Sequence, residues 1–276
     1  MGICKFCGQK AGLFSSSHKN CENSYLNGKR EIVNKISNAI NSETEFSNFD
    51  LEIQKFAVSS FIKKEELPEL YGLGFDKSVE DFLEDGVLSE DEEQKIKAFK
   101  SHFNFEQNIL DKKGSLQKVV KALILRDVFD GKIPESRLDF KGNLPFLLQK
   151  GETLIWVYQD VELYEQKTVT TYQGKSQGVS VRVAKGLYYR TGSFKGNPVK
   201  SEQTVFHGKG ILALTNKQLY YTSPGKTFKT PYSKIISLTQ YSDGIGIQKD
   251  GTSKPQILKD LDGWFAYNLI SNLSQL

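Results

Sequence analysis

The chain has 276 residues, 38% of them hydrophobic and 25% charged, a balance that belongs to ordinary globular proteins and excludes a disordered or collagen-like polymer. No run of about 18 apolar residues occurs, which excludes a membrane-spanning helix. The start Met1-Gly2-Ile3 leads directly into a cysteine motif without the apolar core of a secretory signal, so a cytoplasmic location is expected. The net charge of +4 is unevenly spread: residues 76–93 hold nine acidic side chains against one lysine, and residues 150–276 hold sixteen basic against nine acidic. The basic end could attract an anionic partner, or its lysines could simply solvate the surface.

All three cysteines lie in the first 21 residues, and in a reducing compartment such an odd, clustered set points to metal, not disulfides. Cys4 and Cys7 are two residues apart, with Gly8 free to turn the backbone just past the second sulfur. After ten residues come His18 and Cys21, three apart and preceded by Ser15, Ser16 and Ser17, which are helix-capping residues. Ile32, Ile36 and Ile40 continue at helical spacing, so His18 and Cys21 are predicted on one face of a first helical turn. A knuckle, a short hairpin and a helix supplying the last two ligands resembles a treble-clef finger, here residues 1–27. A Cys3His set closes a tetrahedron with no position left for water, which makes the expected Zn2+ structural. Lys5, Lys10, Lys19, Lys29 and Arg30 surround it, compatible with nucleic acid but without an aromatic platform.

Residues 28–133 read as helical. Helices are predicted over 50–64, 90–103 and 115–129, with core stripes such as Ile96, Phe99 and Phe103. The acidic stretch from Asp81 can be counted against a twelve-residue calcium loop. Asp85 falls at position 5, Gly86 at 6 and Glu92 at 12, but position 3 is Leu83, which offers no oxygen. Asp81, Asp85 and Glu92 are therefore candidates for at most a weak divalent cation, and Ca2+ is not expected. The metal-free reading is complete: Asp85-Gly86 turns the chain, Ser89 caps the next helix and Glu92 closes a capping box. This Asp-Gly turn followed by Leu88-Ser89-x-x-Glu92 resembles the repeating element of TerB-like helical domains of bacterial tellurite-resistance and stress proteins, over residues 50–130. The chain has only one such acidic turn.

Gly131, Pro134, Gly142, Pro145 and Gly151 break the helical period, which marks 134–149 as a linker. Residues 150–276 carry short alternating runs rich in β-branched and aromatic side chains, over 153–158, 161–164, 168–172, 179–183, 186–189, 210–214, 218–222, 226–230, 235–240 and 245–249. An antiparallel sandwich or barrel is expected, plugged by an amphipathic helix bearing Leu261, Trp264, Phe265, Leu269 and Leu273. The run from Gly210 to Tyr220, Phe228, the segment from Pro231 to Ile235 and the closing segment from Gly263 to Ile270 are similar to GRAM and bacterial pleckstrin-homology-like domains. That resemblance implies binding to lipid headgroups, peptides or further copies, without chemistry of its own. Gln173-Gly174-Lys175-Ser176 is not a phosphate loop, because Val169 stands where the earlier glycine is required. Lys175, Arg182, Lys185, Arg190 and Lys195 are candidates for an anion-binding rim.

The fold class expected is therefore a multi-domain α+β chain with finger, all-helical middle and antiparallel β domain. His18 is committed to metal, His102 lies in a helix beside Phe103, His207 sits in a loop next to Gly208, and no cysteine remains as a nucleophile, so no enzyme and no small-molecule substrate are expected. The expected role is a bacterial adaptor that recognises a protein partner or assembles with itself, and the resemblances imply stress or anti-phage response. Binding to an anionic membrane, or to nucleic acid through the finger, are the alternatives.

Overall fold

A computed structural model describes residues 2–12, 14–42, 45–137, 144–184, 187–251 and 254–276. The chain divides into two compact units, 1–132 and 133–276, and has the α+β composition expected: a Cys/His cluster, helices, a seven-stranded antiparallel sheet and a last helix.

The first unit is built on α1 (Lys19–Asn41), which runs unbroken from the cysteine cluster into the helical core. Its Ile32, Ile36 and Ile40 are fully buried, as their spacing predicts. α2 (Phe49–Ser59) ends five residues earlier than expected. Phe61 adopts a left-handed φ of 59°, and the Ile62 N–H donates to Ala57 O while the Phe61 N–H donates to Val58 O. These bonds satisfy the last carbonyls of α2 and stop it. After a 3-10 turn (Lys64–Glu66) comes α3 (Leu67–Phe82), the central helix, buried on most sides. It can lie close to α1 because of Gly74, where a Cβ would stand 2.5 Å from Ile36 Cγ2. α4 (Glu90–Phe103), α5 (Gln107–Leu110) and α6 (Ser115–Phe129) complete the unit. Phe75, Phe99, Tyr71 and Phe103 join α3 to α4, with ring centres 5.7 Å apart for Phe75 and Phe99 and 4.8 Å for Tyr71 and Phe103.

The second unit is one hydrogen-bonded sheet, comprising β1 (Leu154–Ala184), β2 (Leu187–Thr215), β3 (Gln218–Thr222), β4 (Thr227–Pro231), β5 (Ile235–Tyr241), β6 (Gly244–Lys249) and β7 (Gln256–Lys259). The spatial order is β4-β3-β2-β1-β7-β6-β5. Five of the short runs expected between 153 and 189 merge into β1 and the start of β2. The glycines that suggest turns lie opposite one another in the ladder, Gly174 to Gly196 and Gly178 to Gly192, and so do not interrupt the pairing. Bulges between Tyr158 and Val161 and between Glu162 and Tyr164, with Asp160 at a φ of 57°, bend β1 where it meets β7 through residues 162–165. Among the described residues β4 and β5 do not pair with each other, so the ladder stays open. α7 (Gly263–Leu273), capped by Asp262 accepting from the Phe265 N–H at 3.1 Å, buries Phe265, Ala266, Leu269 and Ile270. Phe265 meets Trp156 edge-on at 5.1 Å.

Candidate metal centre

The amino-terminal loop is shaped by its backbone before any metal is considered. The Cys4 N–H donates to Gln9 O at 2.8 Å and the Gly8 N–H to Cys4 O at 2.9 Å. Gly8 sits at a φ of 72°, a conformation that glycine adopts without strain. Ile3 and Lys10 form a bridge across the turn, and the Lys5 N–H donates to Ser16 O at 2.9 Å. These bonds fold the chain back so that its return strand delivers His18 to the cysteines.

The thiol sulfurs of Cys4, Cys7 and Cys21 and a ring nitrogen of His18 all lie within 4.8 Å of one another. His18 Nδ1 is 3.3 Å from Cys7 Sγ and 3.8 Å from Cys21 Sγ. A tetrahedral ion with sulfur ligands at about 2.3 Å requires donor separations of about 3.8 Å, so the four atoms are already near the corners of such a site. His18 Nε2 lies 3.0 Å from Lys10 O. Its proton is thereby directed to the carbonyl, leaving the Nδ1 lone pair toward the sulfurs. The serine run expected to cap α1 stops short of it. His18 is the N-cap residue, and Ser17 Oγ donates instead to Glu22.

Electrostatics favour a cation here. Burial pushes the Cys4 thiol up, but N–H groups of Cys7, His18 and Phe6 outweigh it and bring it down to about 6. Cys21 goes the other way, to about 11, because burial and the neighbouring Cys7 and Cys4 sulfurs oppose a further negative charge. A cation beside Cys21 would relieve the opposition to its ionisation. The set can hold a metal ion, and with four protein donors it leaves no coordination position for a reactant.

The cluster is joined to the helical core by Phe6, whose ring is 5.1 Å from Tyr25 and 6.1 Å from Phe61. Tyr25 OH donates to Glu66, and Lys29 pairs with the same carboxylate at 2.7 Å.

The acidic candidates are not brought together. Asp81, in the last turn of α3, accepts from Ser37 Oγ and Asn41 Nδ2. Asp85 accepts from the Val87 N–H at 2.9 Å. Glu92 accepts from the Ser89 N–H at 2.8 Å and donates its own N–H back to Ser89 Oγ, a capping box. Among the described residues the cysteine cluster is the one grouping of three or more potential ligands. Lys185 and the side chains of Lys175, Arg182, Arg190 and Lys195 lie outside the described residues. The backbone register sets Lys175 opposite Lys195, Arg182 opposite Tyr188 and Arg190 opposite Ser180.

His102 packs between Phe46 and Phe103, with ring centres at 5.6 and 4.7 Å, beside a cleft of about 430 Å³. His207 has a definite partner that its sequence neighbours do not reveal. Its Nε2 is 3.0 Å from Glu165 Oε2, and Lys226 Nζ and Gln256 Nε2 donate to the other carboxylate oxygen. Glu165 lies at the last pairing between β1 and β7, so this network ties β2, the β3–β4 turn and β7 to one carboxylate. Residues 165, 207, 226 and 256 are too far apart in sequence for any local pattern to join them.

No helix among the described residues is long and apolar enough to cross a membrane. The sequence matches no family model and no curated protein.

Proposed function

We propose that the protein is a non-enzymatic bacterial adaptor in which a structural Zn2+, held by Cys4, Cys7, His18 and Cys21, fastens the chain start to a helical domain, while the β unit serves recognition. The observation that carries this reading is the closed donor set, three sulfurs and one imidazole nitrogen around a common centre. Zn2+ is the ion favoured by that chemistry, because thiolate and imidazole donors in a compact four-coordinate set suit it and hard oxygen-seeking cations do not. The finger is of treble-clef type, with its last two ligands at the start of α1. The helical core around the Ser89–Glu92 capping box supports a TerB-like domain. The sheet order β4-β3-β2-β1-β7-β6-β5, with α7 packed against β5 and β6, supports a pleckstrin-homology or GRAM-like domain.

Such modules act through surfaces, so the ligand is a protein partner or another copy of the chain, in a cytoplasmic stress or anti-phage setting. Support for the non-enzymatic part comes from the histidines: His102 is wedged among aromatic rings, and His207 is bonded to Glu165. One feature favours a second reading, an anionic membrane surface. Residues 166–204 carry seven basic side chains against one acidic, and the backbone of 166–184 and 187–204 forms the stretch of the β1–β2 ladder beyond the pairing with β7. Sedimentation of the purified full chain with anionic vesicles at low and high salt decides between the two. The adaptor reading expects no salt-sensitive pelleting, and pelleting that is abolished by salt overturns it in favour of the membrane.

A further inference from the structure

The two ends of the sheet are built differently. β4 has the usual protections of an exposed edge, with Lys226 just before it, Lys229 within it and Pro231 at its end. Lysines and prolines on an edge repel or block further strands. β5 has fewer of them: Lys234 stands just before it, as Lys226 does before β4, and a bulge falls at its first residues, but the strand itself holds neither lysine nor proline. Its seven residues, Ile235-Ile236-Ser237-Leu238-Thr239-Gln240-Tyr241, include no charge, no proline and no glycine, and most are of types that favour extended structure. Among the described residues β5 pairs with β6 alone, so alternate N–H and C=O groups along its outer side face away from the sheet. The single bulge in the β5–β6 pairing lies between Ile235 and Ser237, leaving 237–241 in regular register. Exposed apolar surface gathers at the same place. Ile236 is 65% and Tyr241 38% exposed, and Trp264 on α7, next to the Gly263 that abuts Tyr241 O, is 42% exposed.

We infer that the outer edge of β5 pairs with β5 of a second copy of this chain, antiparallel about a two-fold axis, joining two sheets into one. A second copy fits better than an unrelated strand because the edge is complementary to itself. The register that overlaps the whole strand sets Leu238 opposite its own copy and Ile236 opposite Gln240, with no like charges brought together. It also brings Lys234, just before β5, opposite Ser242 of the other copy and so next to its Asp243. The side chains of Lys234 and Asp243 are 65% and 54% exposed, each in a loose pair at 3.9 and 3.4 Å, so both can turn to the new contact. Such an interface is isologous and closes at two subunits. The inference rests on the adaptor reading only in assigning the β unit to recognition. A chain that is monomeric could still recognise a protein partner, and a chain that binds vesicles could still dimerise.

The test is sedimentation velocity on the full-length protein with its metal, under reducing conditions, over about a hundredfold range of concentration from micromolar upward. The mass is expected to rise from the 31.2 kDa monomer to twice that value. Ile236→Lys puts a charge on the edge, and Gln240→Pro removes an outward N–H that an edge strand can spare. Each is expected to weaken the dimer at least about tenfold with unchanged circular dichroism, while Lys229→Gln on β4 leaves it intact. A wild-type protein that remains monomeric overturns the inference, as does a dimer of equal strength in both well-folded β5 variants.

Discussion

Removing the charge of Glu165 is expected to destabilise the β unit. The Glu165 and His207 side chains are each 12% exposed, and Lys226 is 33% exposed. Glu165→Gln keeps the shape but replaces one acceptor oxygen by a donor, facing Lys226 and Gln256 or His207 with a group that cannot accept from them. Breaking a fully buried charge pair from one side costs about 3–5 kcal/mol, and hydrogen bonds to a charged group are worth about 1.5–3 kcal/mol each. Because the Lys226 ammonium can recover some water, a loss of about 2–4 kcal/mol is expected, or roughly 4–16 °C in the midpoint of a unit this size. Burial pushes the Glu165 carboxyl up, but hydrogen bonds from Lys226 and Gln256 and the charge of Lys226 more than reverse this and hold it below the ordinary carboxylate range. Its contribution is therefore fully present above the unfolded value near 4.3 and is lost as the pH falls through the lowered one. Scanning calorimetry of wild type and variant should show the largest gap near neutral pH, closing in acid. A variant whose β-unit transition stays within about 1 °C of wild type would refute the view that this carboxylate ties three strands and the β3–β4 turn together.

Gly74→Ala forces a Cβ to within 2.5 Å of Ile36 Cγ2. Overpacking of about 1–3 kcal/mol should exceed the gain in helix propensity of about 1 kcal/mol, so the urea midpoint of the helical unit falls; a rise would contradict the close approach of α1 and α3. Ser89→Ala removes the side-chain half of a capping box and should cost about 1 kcal/mol, measurable as earlier amide exchange in the first turn of α4. Glu66 is raised by burial, but bonds from Lys29, Tyr25 and the Lys63 N–H outweigh it and lower its carboxyl to about 2. It therefore stabilises above the unfolded value near 4.3 and its help disappears as the pH drops toward 2. In Glu66→Gln the part of the acid titration that loosens the Tyr25 and Lys29 contacts should be missing, and an unaltered acid profile would show those bonds to be idle.

The parts of this fold legible in the sequence are those set by local rules. α4 and α6 begin and end at the residues expected, α4 because Ser89 and Glu92 act on their own neighbours and α6 because its apolar residues recur at helical spacing. The grouping of Cys4, Cys7, His18 and Cys21 into a cluster that could hold a metal ion was legible for the same reason, since Cys4 and Cys7 share a turn and His18 and Cys21 share the start of a helix. Where tertiary contact decides, the sequence was silent or misleading. Gly72 and Gly74 permit α3 to approach Ile109 and Ile36, which only the packing reveals. Gly174, Gly178, Gly192 and Gly196 look like turns, yet they face one another within a continuous ladder. Phe61 stops α2 in a backbone conformation that no propensity scale assigns to phenylalanine. The Glu165 network and the bare edge of β5 exist only once the strand order is known.

The fastening role of the amino-terminal cluster is tested most directly by the metal content and X-ray absorption of the purified full-length protein, alongside Cys21→Ser. One zinc per chain is expected, with three sulfurs at about 2.3 Å and one nitrogen at about 2.0–2.1 Å. In the variant, loss of that zinc should come with faster amide exchange at the start of α1. A protein without stoichiometric zinc, a shell in which oxygen replaces sulfur, or a Cys21→Ser variant that keeps its metal and its protected helix would contradict it.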